Sequence, residues 1–208
     1  MVDYFKSLFP TLSIELIQRI YGASSKNYFD RGNKVIQVGQ PVRSIVLVLK
    51  GRIKVYREDH HGKDFFIYYL KPGQACVYTL GHQSFSETSL VTAQAVEDTE
   101  AIMIPIAMAN SWMHKYKCWN DFVLASFRQH LFHMMQVMDL LVFKSLDERL
   151  EHYLQAHKQY LNGSGLLMLS HQEVANDMGS SREVISRLLK KMESQGKVKL
   201  HRSQIELI

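Results

Sequence analysis

Residues 169–196 read LSHQEVANDMGSSREVISRLLKKMESQG. Ser170 is a good N-cap, and Glu173 three residues later completes a capping box, so a helix begins here. Ala175, Gly179 and Ile185 then meet three separate needs of two helices that cross steeply. Closest approach requires a small side chain, the turn requires a residue tolerant of positive φ, and the second helix requires a branched apolar anchor. Val174, Met178 and Leu188 are expected to supply the remaining core. Ser180 or Ser181 caps the second helix, which stops at Gly196. Spacing and caps together predict a helix-turn-helix rather than a plain amphipathic hairpin.

Charge collects in the same place. Between Ser180 and Arg202 stand Arg182, Arg187, Lys190, Lys191, Lys197, Lys199 and Arg202 against Glu183 and Glu193, an excess equal to the formal net charge of +5 of the whole chain. A local basic patch on a helix fits a polyanion. Arg182, Glu183, Ser186 and Arg187 share one face of the second helix, whose N-terminal residues enter the major groove in such a motif. Arginine donates to guanine N7 and O6, and glutamate accepts from the cytosine amino group. A purely phosphate-binding surface has no use for Glu183, so these four are assigned to base reading. An i, i+4 pair of Glu183 with Arg187 is the alternative, and the two roles are compatible. Ser170, Gln172 and Ser181, near helix starts, and Lys190 and Lys191 are assigned to phosphates. After Gly196, KVKLHRSQIELI alternates as a two-stranded wing, with Lys197, Lys199 and Arg202 as further backbone contacts.

Upstream the period differs. The 208 residues, 46% hydrophobic, suffice for one large domain or two modest ones. Leu12, Leu16, Ile17 and Ile20 are spaced for a short amphipathic helix behind Pro10 and Thr11. From Asn33 to about Pro105 the runs VIQV, SIVLVLK, RIKVYRE, DFFIYYL, SLVTAQAV and EAIMI read as short strands between turn signals, which predicts a sandwich or barrel. Leu124, Phe127, Leu131, Met134, Met138 and Leu141 follow at alternating steps of three and four, an a/d seam suited to the same helix of a second subunit. Phe132, Met135 and Val142 form a second stripe, expected to cover the chain's own β-domain. Only two cysteines, Cys76 and Cys118, occur, and the start MVDYFKSLFP lacks the pattern of a secretory signal, so a reducing cytoplasm is expected. No apolar run is long enough to span a bilayer.

A short amphipathic helix, a β-barrel, a long helix and a terminal winged helix-turn-helix together resemble the Crp/Fnr family of bacterial transcription regulators. SIVLVLKGRIKVYREDHHGKDFFIYYLKPGQ is similar to the family's β-domain, with Gly51 and Gly62 at hairpin turns and Pro72-Gly73 entering its effector loop. Arg182, Glu183 and Arg187 match the Arg-Glu-x-x-x-Arg of the cyclic-AMP receptor branch. Glu183, Ser186 and Arg187 match the Glu-x-x-Ser-Arg of the fumarate-nitrate reductase regulator branch. The resemblance implies an α+β fold with an N-terminal antiparallel β-barrel (double-stranded β-helix or jelly roll) over 1–118, a dimerisation helix over 119–145 and a winged helix-turn-helix over 146–208. It implies a cytoplasmic homodimer on an inverted-repeat operator with TGA-containing half-sites, and RNA polymerase as a partner.

The departures bear on the effector. Cyclic-nucleotide members carry Gly-Glu-Leu or Gly-Glu-Ala after the loop glycine, then an arginine that binds the cyclic phosphate. Here the segment reads ACVYTLGHQSFSETSLV, with no arginine between Arg57 and Arg128 and with Glu87 near the phosphate position. A buried phosphate requires a compensating cation, so cyclic AMP and cyclic GMP are not expected as effectors. A pocket of Gly73, Cys76, Tyr78, Phe85, Thr88, Ser89 and Arg128 is left open to another small molecule. Cys76 and His82 read as loop residues rather than haem ligands. The alternative class is a cupin-type metal-dependent barrel enzyme, prompted by His60, His61, His82 and Glu87. His60 and His61 are adjacent and point to opposite faces of a strand, unlike a His-x-His pair. No metal, cofactor or catalytic residue is assigned.

Overall fold

The computed structural model of the chain describes residues 2–58, 64–81, 88–160 and 165–208, with backbone alone at 140–143, 159 and 160. Two compact units are present: residues up to Glu58 with Phe66–His133 form the first, and Met134–Ile208 belong to the second.

The order is α1 (Val2–Leu8), α2 (Ile14–Ala23), β1 (Ser25–Phe29), β2 (Lys34–Ile36), β3 (Ser44–Lys50), β4 (Ile53–Glu58), β5 (Asp64–Leu70), α3 (Val77–Leu80), β6 (Thr92–Ala95), β7 (Thr99–Pro105), α4 (Ile106–Lys115) and α5 (Lys117–Phe143). Two sheets, β1-β7-β3 and β2-β6-β4-β5, make up the expected jelly-roll-like β-domain, without closing into one barrel. The run SIVLVLK forms β3 because it is buried from Ile45 to Leu49, where β-branched side chains pack well. β1 lacks apolar alternation and is mostly exposed. Its partner β7 holds it in antiparallel register from Ser25↔Met103 to Phe29↔Thr99.

The other edge of β3 carries residues 73–76. The Cys76 amide donates to the Val46 carbonyl (3.0 Å), and the Val48 amide donates to the Gln74 carbonyl (3.0 Å). This fixes Cys76 as the N-cap of α3. Gly73, at φ +84°, is needed here because a Cβ would stand 2.7 Å from the Leu8 carbonyl oxygen of α1.

α5 corrects one expectation. Phe132 and Met135 do not cover the β-domain: they are 61% and 53% exposed, and the Val142 side chain lies outside the described residues. Trp119, Val123, His130 and His133, at steps of one helical face, turn inward instead. Trp119 is fully buried with its ring edge-on to Trp112 (5.8 Å), and both histidines meet aromatic rings of the β-domain. These bulky anchors set the rotation of the helix. The a/d seam is thereby left to solvent: Leu124, Phe127, Leu131 and Met138 are exposed and Met134 is half-buried, while the Leu141 side chain lies outside the described residues.

In the second unit α6 (Leu146–Tyr160) is followed by β8 (Leu166–Leu167), α7 (His171–Asp177), α8 (Arg182–Ser194), β9 (Val198–His201) and β10 (Gln204–Leu207). The wing is three-stranded, in order β8-β10-β9, because Leu167 pairs with Ile205 alongside the expected hairpin. Leu150, Leu154, Leu167, Val174, Ala175, Ile185, Leu189 and Ile205 are fully buried. Leu189, not Leu188, completes the α8 core, since it stands one turn beyond Ile185; Leu188 is half-buried. Tyr153 of α6 donates to Asp177 Oδ2 (2.7 Å) at the end of α7, with both groups buried, and the His157 ring packs on Tyr153 at 4.1 Å.

Candidate nucleic-acid interface and effector region

The helix-turn-helix is built from its caps inward. Ser170 Oγ accepts from the Glu173 amide (3.2 Å) while Glu173 Oε2 accepts from the Ser170 amide (2.7 Å), closing the capping box. Ala175 is fully buried where α7 meets α8. Gly179 takes φ +64° in the turn with open space around it, so backbone conformation alone requires glycine there. Ser181, rather than Ser180, caps α8, accepting from the Val184 amide (3.3 Å).

Burial of Ile185, Leu189 and Met192 turns the opposite face of α8 outward. Arg182, Glu183, Arg187 and Lys190 are exposed on it, and Ser186 is half-buried at its edge. Glu183 turns back to its own helix start. The backbone amide there, the Ser181 hydroxyl and the neighbouring Arg182 hold its carboxyl below the usual range. Ser186 Oγ lies 2.9 Å from His171 Nδ1 of α7. Gln172 donates to Asn176 Oδ1 (2.8 Å) and stays exposed. Two of the lysines assigned to phosphates are held by carboxylates of α6: Lys191 by Asp147 at 3.2 Å and Lys197 by Glu151 at 2.7 Å. Both pairs are partly exposed, and such pairs are weak enough to exchange with a phosphate. Lys199 and Arg202 of the wing are exposed.

The residues assigned to an effector pocket separate into groups. Gly73 serves the contact with α1. The Ser89 hydroxyl donates to the Val91 carbonyl (2.7 Å) in its own turn, and Thr88 bridges to Pro41. Phe85, like His60, His61, His82 and Glu87, lies outside the described residues. Arg128 is exposed on α5. Cys76 and Tyr78 do come together, joined by Tyr68 and by two histidines the sequence reading passed over. Tyr68 and Tyr78 rings stack at 6.4 Å. His130 meets their edges at 4.9 and 5.3 Å, and His133 approaches Tyr68 at 6.2 Å. His133 Nε2 lies 3.0 Å from the Ile67 carbonyl and must carry the proton, since a carbonyl only accepts. Burial, then His133, pushes the His130 pKa down. Burial pushes the Cys76 thiol up to about 11, so it is an unreactive thiol. The i, i+3 spacing of His130 and His133, on the face opposite the a/d seam, was the available signal. Among the described residues no cluster of three metal-ligating side chains occurs, and no helix is long and apolar enough to cross a membrane.

Comparison with known proteins agrees with this geometry in both units. The family model for the cyclic nucleotide-binding domain matches residues 26–116, and that for the Crp-like helix-turn-helix domain matches 148–208. The chain belongs to the Crp/Fnr family. It is a transcription regulator of that type, with a DNA-binding helix-turn-helix. It is 24% identical to the cyclic AMP receptor protein of Thermus thermophilus over 96% of this chain and 91% of that one. A crystal structure from Eubacterium rectale assigned to the Crp/Fnr family superposes with a TM-score of 0.82 at 23% identity, covering 97% of this chain and 94% of the other. The c-di-GMP-responsive global regulator CLP of Xanthomonas campestris superposes with a TM-score of 0.80 at 19% identity, covering 94% and 99%. At these identities the superpositions establish the regulator's fold.

Proposed function

We propose that this regulator acts in the cytoplasm as a homodimer on an inverted-repeat operator, with one α8 in the major groove of each half-site. The observation that carries this is the α8 face itself. Arg182, Glu183 and Arg187 stand free of the core with Ser186 beside them, on a helix fixed by Ile185, Leu189 and Met192 and capped at Ser181. Arg182 and Arg187 offer donors to guanine, and Glu183 an acceptor for cytosine. Ser170, Gln172, Ser181 and Lys190 set the register on phosphates, with Lys191, Lys197, Lys199 and Arg202 on the flanks. The exposed a/d seam of α5 closes the dimer, and the family resemblance supplies the TGA half-site core and RNA polymerase as the partner.

Cyclic AMP and cyclic GMP are not the effectors. The segment from Gly73 to Ala95 contains neither Arg nor Lys. The described groups around Cys76 include the Tyr68 and Tyr78 rings, the Thr79 hydroxyl and His130, whose charged form is disfavoured. A cyclic phosphate needs a bidentate cation, and Arg57, whose field reaches Tyr78, stands on the exposed end of β4. The donor set suits a neutral, ring-bearing ligand better.

Two substitutions separate base reading from backbone contact. Measured by fluorescence anisotropy at several salt concentrations, Arg187→Ala should lose about 1–3 kcal/mol on the operator and relax preference at one guanine. Lys197→Ala should weaken all duplexes alike and lower the log–log salt slope by about 0.9 or less, since Glu151 already shields that lysine. Equal losses on operator and random DNA for both variants would refute the assignment.

A further inference from the structure

His171 opens α7 directly after the Ser170 cap, and its Nδ1 lies 2.9 Å from Ser186 Oγ of α8. Both residues are half-buried, and Ser186 stands at the edge of the exposed α8 surface formed by Arg182, Glu183 and Arg187. A serine hydroxyl has one proton to donate and lone pairs that accept. Whatever His171 takes from it fixes what remains for a base.

We propose that His171 is a specificity-determining positioning residue whose protonation switches Ser186 between hydrogen-bond acceptor and donor toward the operator. In the neutral ring with its proton on Nε2, Nδ1 accepts the Ser186 O–H proton. Ser186 then shows DNA only lone pairs, which suit the amino groups of adenine or cytosine. In the imidazolium, Nδ1–H donates to Oγ, and the Ser186 proton is released toward O4 of thymine or O6 and N7 of guanine. No bond to carbon changes; one proton enters from solvent and one hydroxyl rotates. The inference rests on the DNA-reading role proposed above.

The fields around the ring act in opposite senses in the free protein and in the complex. Burial first, then the cations Arg182 and Lys190 of α8, lower the His171 pKa in the free protein. Glu173 on α7 is committed to the capping box. Phosphates beside α8 act in the opposite sense and raise the pKa in the complex. Since the bound pKa exceeds the free one, the contribution to operator affinity is complete below the free pKa and is lost as pH rises through the bound pKa.

Two readouts test this. The first needs no DNA: imidazole 15N shifts of the full chain should show His171 Nδ1 unprotonated in the neutral ring and protonated below its pKa. A neutral ring carrying its proton on Nδ1 would overturn the switch. The second is selection from random duplexes at about pH 5.5 and about pH 8 with fixed salt, either side of histidine's usual titration. At one position of each half-site the wild type should change its preferred base by about fivefold, the worth of one hydrogen bond. His171→Asn keeps a polar group near the Nδ1 position without a titration, so it should select the same operator at both pH values. Ser186→Ala should bind with no pH-dependent base choice. An operator of identical composition at both pH values for the wild type, or a pH response retained in Ser186→Ala, would overturn the proposal alone. Recovery of no preferred sequence at any pH, beside an intact 15N titration, would instead bring down the DNA-reading role, and the proposal with it.

Discussion

Leu131→Asn is the perturbation that tests the dimer seam most sharply. Leu131 lies at the middle of the a/d series on α5 and is 63% exposed in the free chain. Fully burying a leucine is worth about 1.5–3 kcal/mol, so covering the part still exposed contributes about 1–2 kcal/mol per protomer. A two-fold interface presents the residue twice, which doubles this to about 2–4 kcal/mol. The dimer dissociation constant should therefore rise roughly 30- to 700-fold, taking about 1.4 kcal/mol per decade. Sedimentation equilibrium over a range of protein concentrations reads this directly. The folded monomer should keep its far-UV circular dichroism, because the substituted side chain touches solvent before assembly. Phe132→Asn is the matched control, equally exposed at 61% but off the seam, and should leave assembly nearly unchanged. A Leu131→Asn constant within about threefold of wild type would refute the assigned seam, because the burial estimate of about 2–4 kcal/mol leaves no room for so small a change.

Two other expectations concern stability and the effector. Tyr153→Phe deletes one hydrogen bond to Asp177 Oδ2 where both residues are buried, and should destabilise the C-terminal unit by about 0.5–1.5 kcal/mol in urea unfolding, the net worth of one hydrogen bond. An unchanged midpoint would mean that Asp177 is satisfied without the tyrosine. Calorimetric titration with cyclic AMP and cyclic GMP should show no binding in the micromolar range and no tightening on the operator; micromolar affinity coupled to operator binding would require a cation such as Arg57 or Arg128 to reach the phosphate.

Legibility in the sequence followed how locally each feature is determined. The capping box at Ser170 and Glu173, the buried Ala175 and the left-handed Gly179 are set by neighbours a few residues away, so spacing alone placed them. β1 was not legible, because SKNYF is held by its distant partner β7 and not by a buried face of its own. The rotation of α5 was also hidden. Apolar periodicity marked Phe132 and Met135, but the inward face is set by Trp119 and by the contacts of His130 and His133 with Tyr68, of which the i, i+3 spacing of the two histidines is the local trace. At Gly73 the loop signal was visible, but the Leu8 carbonyl that a Cβ would meet comes from α1, far upstream in the chain. At Lys191 and Lys197 the basic charge was visible, but the Asp147 and Glu151 carboxylates that hold it come from α6, more than forty residues earlier.

The central claim, that α8 reads bases in a two-fold arrangement, is tested most directly by selecting bound sequences from a random duplex pool at fixed salt and neutral pH. The account predicts an inverted repeat whose half-site centres lie about one helical turn, roughly 34 Å, apart, with a TGA core in each half. A pool that remains unenriched, or a selected site without inverted symmetry, would contradict it.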